Sequence, residues 1–169
     1  MGEYSFDRKW SDIMIPQIKR LVGPWLLEES SFENDAQQAT DLMILNARDK
    51  RIAARVRRPG YADRYPYEFT IRSHRDSGSK TELEKIINGF GDWMFYGHAN
   101  NDNLICRWWL IDLNSFRAGL IRDKAKLKFE QRSNGDGTHF YAFDLRSFSI
   151  SPPVLISGSH SFCSKDIAA

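Results

Sequence analysis

Two short segments with alternating side chains, residues 51–58 and 67–73, constrain the fold of this chain most strongly. Alternation with a period of two residues predicts a β-strand whose two faces differ in character. In each segment one face is apolar, and the other carries arginine. We therefore expect a sheet surface that suits phosphate. The expected polar faces carry Ala53, Arg55 and Arg57, and Glu68, Thr70 and Arg72, opposite Ile52, Ala54 and Val56, and Tyr67, Phe69 and Ile71.

Length and composition predict one globular domain. The chain has 169 residues, of which 41% are hydrophobic, enough to bury one ordinary core. We expect a single domain over residues 1–169, with a core at 1–122, an added β-hairpin and edge strands at 123–156, and a loose tail at 157–169. We expect the α+β (mixed α/β) class, with a central mixed β-sheet flanked by helices.

Hydropathy and cysteine content predict a soluble cytoplasmic protein without a membrane partner. No apolar run approaches the roughly 18 residues that a transmembrane helix needs, and the polar, acidic start is unlike a secretory leader. Cys106 and Cys163 are far apart and form no CxxC motif. We therefore expect free cysteines rather than a zinc site or a disulfide framework.

The net charge of +2 is distributed unevenly. Between residues 48 and 80, ten Lys and Arg stand against four Asp and Glu, a local excess of six. Such a cluster suits a polyanion, because neutralised phosphates release their counterions. The alternative is a solvated edge strand that its charge protects from aggregation. The expected nucleic-acid contacts are Arg57, Arg58, Arg75 and Lys80.

The first fifty residues predict a helix followed by two strands. Apolar spacing over residues 6–23 indicates a helix in which Pro16 forces a kink or a late start near Asp12. Strands follow at 25–29 and 40–46. The second strand is entered through Asp41, whose carboxylate is either a ligand of a divalent metal or an ordinary turn residue.

The middle of the chain predicts a pair of strands and a capped helix. Residues 59–66 are rich in turn formers, so the two alternating strands are expected to pair antiparallel. Thr81 and Glu84 match a capping box at the start of a helix over 82–88. Lys80 precedes this helix and either lies beside a phosphate on the helix amides or is a surface lysine.

The remaining segments predict buried aromatic strands and hairpins. Strands at 93–97 and 104–112 are joined by a turn at 100–103, and Asn114 or Ser115 is expected to cap the next helix. Their aromatic residues either stack on bases or form the core, and alternation favours the core. Glycines at 134–137 indicate a hairpin between 127–132 and 138–145, with an edge strand at 154–156.

From residue 6 to residue 97, the predicted order is helix, strand, strand beginning at Asp41, basic strand, added strand, helix, strand. This order resembles the core of the PD-(D/E)XK nuclease superfamily, which includes many restriction enzymes and Holliday-junction resolvases. The segments Glu-Phe-Thr-Ile-Arg from residue 68, Lys-Thr-Glu-Leu-Glu-Lys-Ile from residue 80 and Gly-Asp-Trp-Met-Phe-Tyr-Gly from residue 91 are also similar to small bacteriophage and prophage proteins.

The resemblance implies two acidic ligands of Mg²⁺ beside a positive charge that stabilises the scissile phosphate. Asp41 matches the first acid by its place. The second motif departs from the family pattern, because the matching triplets end in Arg55 and Arg72 and contain no carboxylate. Glu68 is the best substitute acid, and Glu82 is the next. The implied catalytic residues are Asp41, Glu68, Arg55 and Arg72, and the implied metal ligands are Asp41, Glu68 and Glu82.

The leading hypothesis is therefore a Mg²⁺-dependent endonuclease, or a close relative of one, that acts on DNA and derives from a phage or mobile element in a bacterial host. The alternative is a catalytically inactive relative that binds nucleic acid or inhibits a host protein, which the missing carboxylate motivates. A third hypothesis is a structural component of a particle. The oligomeric state stays open.

Overall fold

The computed structural model divides the chain into two compact units, Met1–Lys50 and Arg51–Ala169. Asp41, Cys163 and the end of the predicted tail from residue 160 onward lie outside the described residues. Cys106 carries a free thiol, as predicted. The structure describes residues 3–23, 27–29, 42–44, 50–76, 78 and 80–159.

The first unit contains a long helix and a short β-hairpin. Helix α1 spans Glu3–Val22 and runs through Pro16, so the predicted helix is confirmed and begins earlier than expected. Strands β1 (Leu27–Glu29) and β2 (Leu42–Ile44) pair antiparallel. Both predicted strands are confirmed in the part of each that the structure describes.

In the second unit, the described residues form seven strands arranged in two sheets. The first sheet has the order β3-β5-β6-β9 and is mixed, because β3 and β5 are parallel while the other pairs are antiparallel. The second sheet, β4-β8-β7, is antiparallel. The α+β class is confirmed. The elements are β3 (Ile52–Arg57), α2 (Tyr61–Arg64), β4 (Glu68–Arg75), α3 (Glu82–Ile87), β5 (Trp93–Ala99), β6 (Ile105–Asp112), α4 (Leu113–Arg122), β7 (Phe129–Ser133), β8 (Thr138–Asp144), a 3₁₀ turn (Leu145–Ser147) and β9 (Leu155–Gly158).

The predicted antiparallel pairing of β3 with β4 is wrong. Strand β3 pairs in parallel with β5, where Ala53 lies opposite Met94. Strand β4 pairs with β8, where Phe69 lies opposite Phe143. The connection between β3 and β4 contains the short helix α2 rather than a tight turn, so the chain passes from one sheet to the other.

The C-terminal hairpin of β7 and β8 belongs to the core rather than being an addition to it. Phe69 of β4 lies 5.4 Å, between ring centroids, from Phe143 of β8 and 5.8 Å from Phe116 of α4. The core of this unit joins both sheets with α3 and α4. The core interpretation of the aromatic strands is confirmed. Fully buried members include Phe69, Ile71, Met94, Tyr96, Trp109, Ile111, Leu113 and Phe116.

The helix ends follow local side-chain chemistry. The capping box is confirmed: the Thr81 hydroxyl accepts from the Glu84 amide at 3.2 Å, and the Glu84 carboxylate accepts from the Thr81 amide at 2.7 Å. The prediction that Asn114 or Ser115 caps α4 is wrong. The cap is Asp112, whose carboxylate accepts from the Ser115 amide at 2.7 Å.

The predicted turns and edge strand are confirmed. Asn100 closes the turn between β5 and β6, since its side-chain oxygen accepts from the Asp102 and Leu104 amides. Gly135 takes a positive φ of 80° in the β7–β8 hairpin, a conformation that glycine adopts without strain. Among the helices that the structure describes, none combines the length and the apolar character needed to cross a bilayer.

Candidate functional site

A pocket of about 370 Å³ lies where β3, β4 and α3 come together. Its charged lining is predominantly basic, with five cationic side chains and one carboxylate. Apolar groups, among them Ile86 and Phe90, complete the wall. We call this site the cationic pocket. The charged side chains that line it are Arg55, Arg72, Arg75, Lys80, Lys85 and Glu82.

Arg55 ties together the three elements around the cationic pocket. Its Nη1 donates to the Thr70 carbonyl at 3.0 Å and to the Thr70 hydroxyl at 3.1 Å. Its Nη2 lies 3.5 Å from Oε2 of Glu82. The Thr70 hydroxyl lies within hydrogen-bonding distance of the Tyr96 hydroxyl, at 3.1 Å. The guanidinium is thus held in place by a buried polar network.

Glu82 is positioned by the capped start of α3. Its Oε2 accepts from the Arg72 amide at 3.1 Å, in addition to facing Arg55. The capping box occupies the Thr81 and Glu84 amides, and α3 has only six residues. The interpretation in which a phosphate sits on these helix amides is therefore not supported. Lys80 is an exposed residue of the pocket wall.

Among the described residues, the cationic pocket has more positive charge than its one carboxylate neutralises. The Nε atoms of Arg72 and Arg75 are buried without a hydrogen-bond partner among the described residues. Burial lowers the pKa of Arg72, and repulsion from Arg55 and Arg75 lowers it further, against the opposing effect of Glu82. Partly buried guanidinium groups whose charge is only partly neutralised favour the binding of an anion, because they can form short charge-assisted hydrogen bonds with it.

The structure brings five of the predicted site residues to this one pocket: Arg55, Arg72, Arg75, Lys80 and Glu82. They come from segments as far apart as residues 55 and 82, so the fold assembles the basic cluster that the charge count indicates. The arginine face of β3 is directed toward β4 rather than toward open solvent, as the Arg55 contacts with Thr70 show.

Three other predicted residues lie elsewhere. The Glu68 carboxylate accepts from Nη1 of Arg132 at 2.7 Å and from Nη2 at 3.1 Å. The Arg57 guanidinium carbon lies 4.5 Å from the centroid of the Tyr61 ring. Both Glu68 and Arg57 line a second, much smaller cavity of about 10 Å³. Arg58 lines neither of these two cavities.

Glu68 and Glu82, the two predicted metal ligands that the structure describes, both have carboxylate oxygens engaged by the protein. A hard cation needs free oxygen ligands, and Arg132 already binds both oxygens of Glu68. Oε2 of Glu82 faces Arg55 and the Arg72 amide. Across the described residues there is no group of three or more His, Cys, Asp or Glu suited to a metal ion. Asp41 lies outside those residues, so its role stays a prediction.

Sequence reasoning missed two residues of the cationic pocket, Lys85 and Phe90. Lys85 follows Glu82 by three residues on α3, and side chains three apart lie on the same helix face. The predicted helix therefore already indicates that Lys85 lies beside Glu82. Phe90 offers no such signal, because an aromatic residue after a helix is expected to be buried. In the structure, 59% of Phe90 is exposed.

Comparisons with models of protein families, with curated proteins and with solved structures find no match to this chain.

Proposed function

We propose that this protein binds nucleic acid, and that phosphates of the backbone occupy the cationic pocket. The observation that carries the proposal is the convergence of Arg55, Arg72, Arg75, Lys80 and Lys85 on one pocket, whose described lining contains a single carboxylate. A chain of phosphates is the abundant biological ligand that presents several negative charges in a row. Neutralising them releases counterions, which supplies most of the binding free energy.

The arginines and the lysines of the pocket contribute differently to phosphate binding in this proposal. The guanidinium groups of Arg72 and Arg75 present planar pairs of donors that match two phosphate oxygens. Lys80 and Lys85 are exposed ammonium groups on flexible stems, and they supply positive charge at the mouth of the pocket. Arg55 is already engaged by Thr70 and Glu82 and holds the wall in place.

Fluorescence anisotropy with a labelled oligonucleotide tests the proposal. The test variant is Arg75→Gln/Lys80→Gln/Lys85→Gln, and the control is Lys124→Gln/Lys126→Gln/Lys128→Gln, which removes the same charge from exposed positions that do not line the pocket. We expect the test variant to lose tenfold or more in affinity, since each neutralised phosphate contributes. The control should lose much less. Equal losses in both variants, or no binding by the wild type, overturn the proposal.

Metal-dependent hydrolysis of DNA, which the family resemblance implies, stands as a second proposal. Glu82 supports it, because this carboxylate lies in the pocket that would hold the phosphate. Cleavage of plasmid and single-stranded DNA with Mg²⁺ or Mn²⁺, compared with Asp41→Ala and Glu82→Gln, is the test. Activity that either substitution abolishes supports a nuclease. Absence of cleavage, together with intact binding, leaves a nucleic-acid-binding protein without this activity.

The host-protein inhibitor of the alternative hypothesis is distinguished by the same binding experiment. Such a protein would show no affinity for oligonucleotides at low salt, while nucleic-acid binding predicts an affinity that falls steeply as salt is added.

A further inference from the structure

Phe90 is an exposed aromatic side chain on the wall of the cationic pocket, with 59% of its surface accessible. Phe95 and Tyr96 of the following strand β5 are, by contrast, fully buried. Phe90 therefore contributes little to the core. Its position beside arginine and lysine side chains is the combination found where proteins stack nucleobases.

The backbone holds Phe90 firmly in this exposed position. Helix α3 ends in a Schellman motif, in which the Phe90 amide donates to the Lys85 carbonyl and the Gly89 amide donates to the Ile86 carbonyl, both at 3.0 Å. Gly89 and Gly91 on either side of Phe90 have positive φ values of 86° and 78°. Both conformations are readily available only to glycine, so the turn fixes the backbone at Phe90 and the direction of its Cα–Cβ bond.

The turn is also anchored to the neighbouring elements. The Asp92 amide donates to the Arg51 carbonyl at 2.9 Å, and the Asp92 carboxylate accepts from the Arg51 amide at 2.8 Å. Nη1 of Arg117 donates to the Ile86 carbonyl at 3.0 Å. A backbone that is ordered before binding loses little conformational entropy when a ligand contacts Phe90.

We infer that the cationic pocket takes single-stranded nucleic acid, with an unpaired base stacked on Phe90 and the adjoining phosphates among the arginines and lysines. This inference rests on the proposed function and adds the class of ligand. In a duplex, the face of each base is covered by the neighbouring base pairs, so the Phe90 ring cannot stack on it. An unpaired base offers its face at little cost, whatever its sequence. The pocket volume of about 370 Å³ lies in the range of small-ligand sites.

Anisotropy titrations of labelled single-stranded DNA, single-stranded RNA and duplex DNA of one sequence test the inference. The variants are Phe90→Ala, Phe90→Leu and Phe90→Trp, all at an exposed position where the fold tolerates change. We expect Phe90→Ala and Phe90→Leu to weaken single-strand binding by roughly 5- to 100-fold, the loss that removal of one stacked base produces. Phe90→Trp should keep or increase the affinity. Duplex affinity should not change in any variant. The affinities measured for single-stranded DNA and single-stranded RNA show which of the two the site prefers.

The results separate this inference from the proposed function. If the wild type binds duplex as tightly as single strands, and Phe90→Ala leaves both unchanged, the inference is overturned. In that case the loss of affinity in the Arg75, Lys80 and Lys85 triple variant would still support phosphate binding. If Phe90→Leu binds single strands as well as the wild type, an apolar contact rather than stacking is responsible, which also overturns the inference.

Discussion

Nη2 of Arg55 lies 3.5 Å from Oε2 of Glu82, and this contact joins β3 to α3 across the cationic pocket. Both side chains are partly exposed, at 20% and 27%, so solvent screens the pair and its contribution to stability is small. Its greater effect is on the pocket. Glu82 is the carboxylate of the lining, and it offsets part of the positive charge that a phosphate would meet.

Replacing Glu82 by Gln should therefore tighten nucleic-acid binding, because it removes a repulsive charge and keeps the side-chain shape. We expect roughly a two- to fivefold gain in affinity at low salt, the range that a partly screened charge contributes. The matched control is Glu130→Gln, an exposed carboxylate on β7 with the same change in net charge. Equal gains in both variants would show a general effect of net charge instead.

Thr81→Ala should lower the free energy of unfolding by about 1 kcal/mol, because it removes the hydroxyl that caps α3. Thr81 is 4% exposed, and its hydroxyl accepts from the Glu84 amide. Urea denaturation measures the change. Thr81→Ser keeps the hydroxyl and should recover most of the loss. If the Ser and Ala variants have the same stability, the cap is not the stabilising feature.

Stability should fall as the pH is lowered through the range in which His98 would ionise. His98 on β5 is 1% exposed, and burial first, then Arg107 and Arg57, lower its pKa to about 4. In the unfolded chain its pKa is about 6.5. Between these values the unfolded state binds more protons, so the free energy of unfolding rises with pH in this window. We expect a loss of about 2 kcal/mol between pH 7 and pH 5.

Urea denaturation at both pH values measures this loss, and His98→Gln is the control. The variant has no imidazole, so its stability should change much less over the same interval, whatever its absolute value. Titration of the imidazole by NMR gives an independent reading. A midpoint near 6.5 in the folded protein would contradict the account.

Gly97→Ala should destabilise the first sheet. A Cβ at this position would lie 3.0 Å from Cε1 of Phe95 and 3.5 Å from methyl groups of Ile105 and Val56. Phe95 is fully buried, so it has little room to move, and we expect a cost of about 1–3 kcal/mol. Gly23→Ala is the control, because among the described residues no other part of the chain lies within 4 Å of its added Cβ. Equal stability of the two variants would contradict tight packing around Gly97.

The sequence predicts the elements well where the signal is local. Alternation locates β3 and β4, and the spacing of Thr81 and Glu84 locates the start of α3. The sequence favours Asn114 or Ser115 as the cap of α4, whereas the structure uses Asp112. All three residue types form good caps and occur within four positions. Local chemistry alone did not decide among them.

Strand pairing could not be predicted in the same way, because it depends on residues that are distant in the chain. The partner of Phe69 in β4 is Phe143 in β8, and nothing near Phe69 indicates that choice. The same holds for Glu68, which is bound by Arg132. The basic character of the site was predictable from the charge count. The separation of Glu68 from the cationic pocket depends on strand pairing, so the sequence does not predict it.

The most direct test of the central claim, that nucleic-acid phosphates occupy the cationic pocket, is NMR mapping with a short single-stranded oligonucleotide. We expect the largest shifts at the side-chain Nε groups of Arg72 and Arg75 and at the amides of Lys80 and Lys85, growing with saturation and lost in high salt. Shifts that concentrate around the Glu68 and Arg132 cavity, or that leave Arg72 and Arg75 unchanged at saturation, would contradict the account.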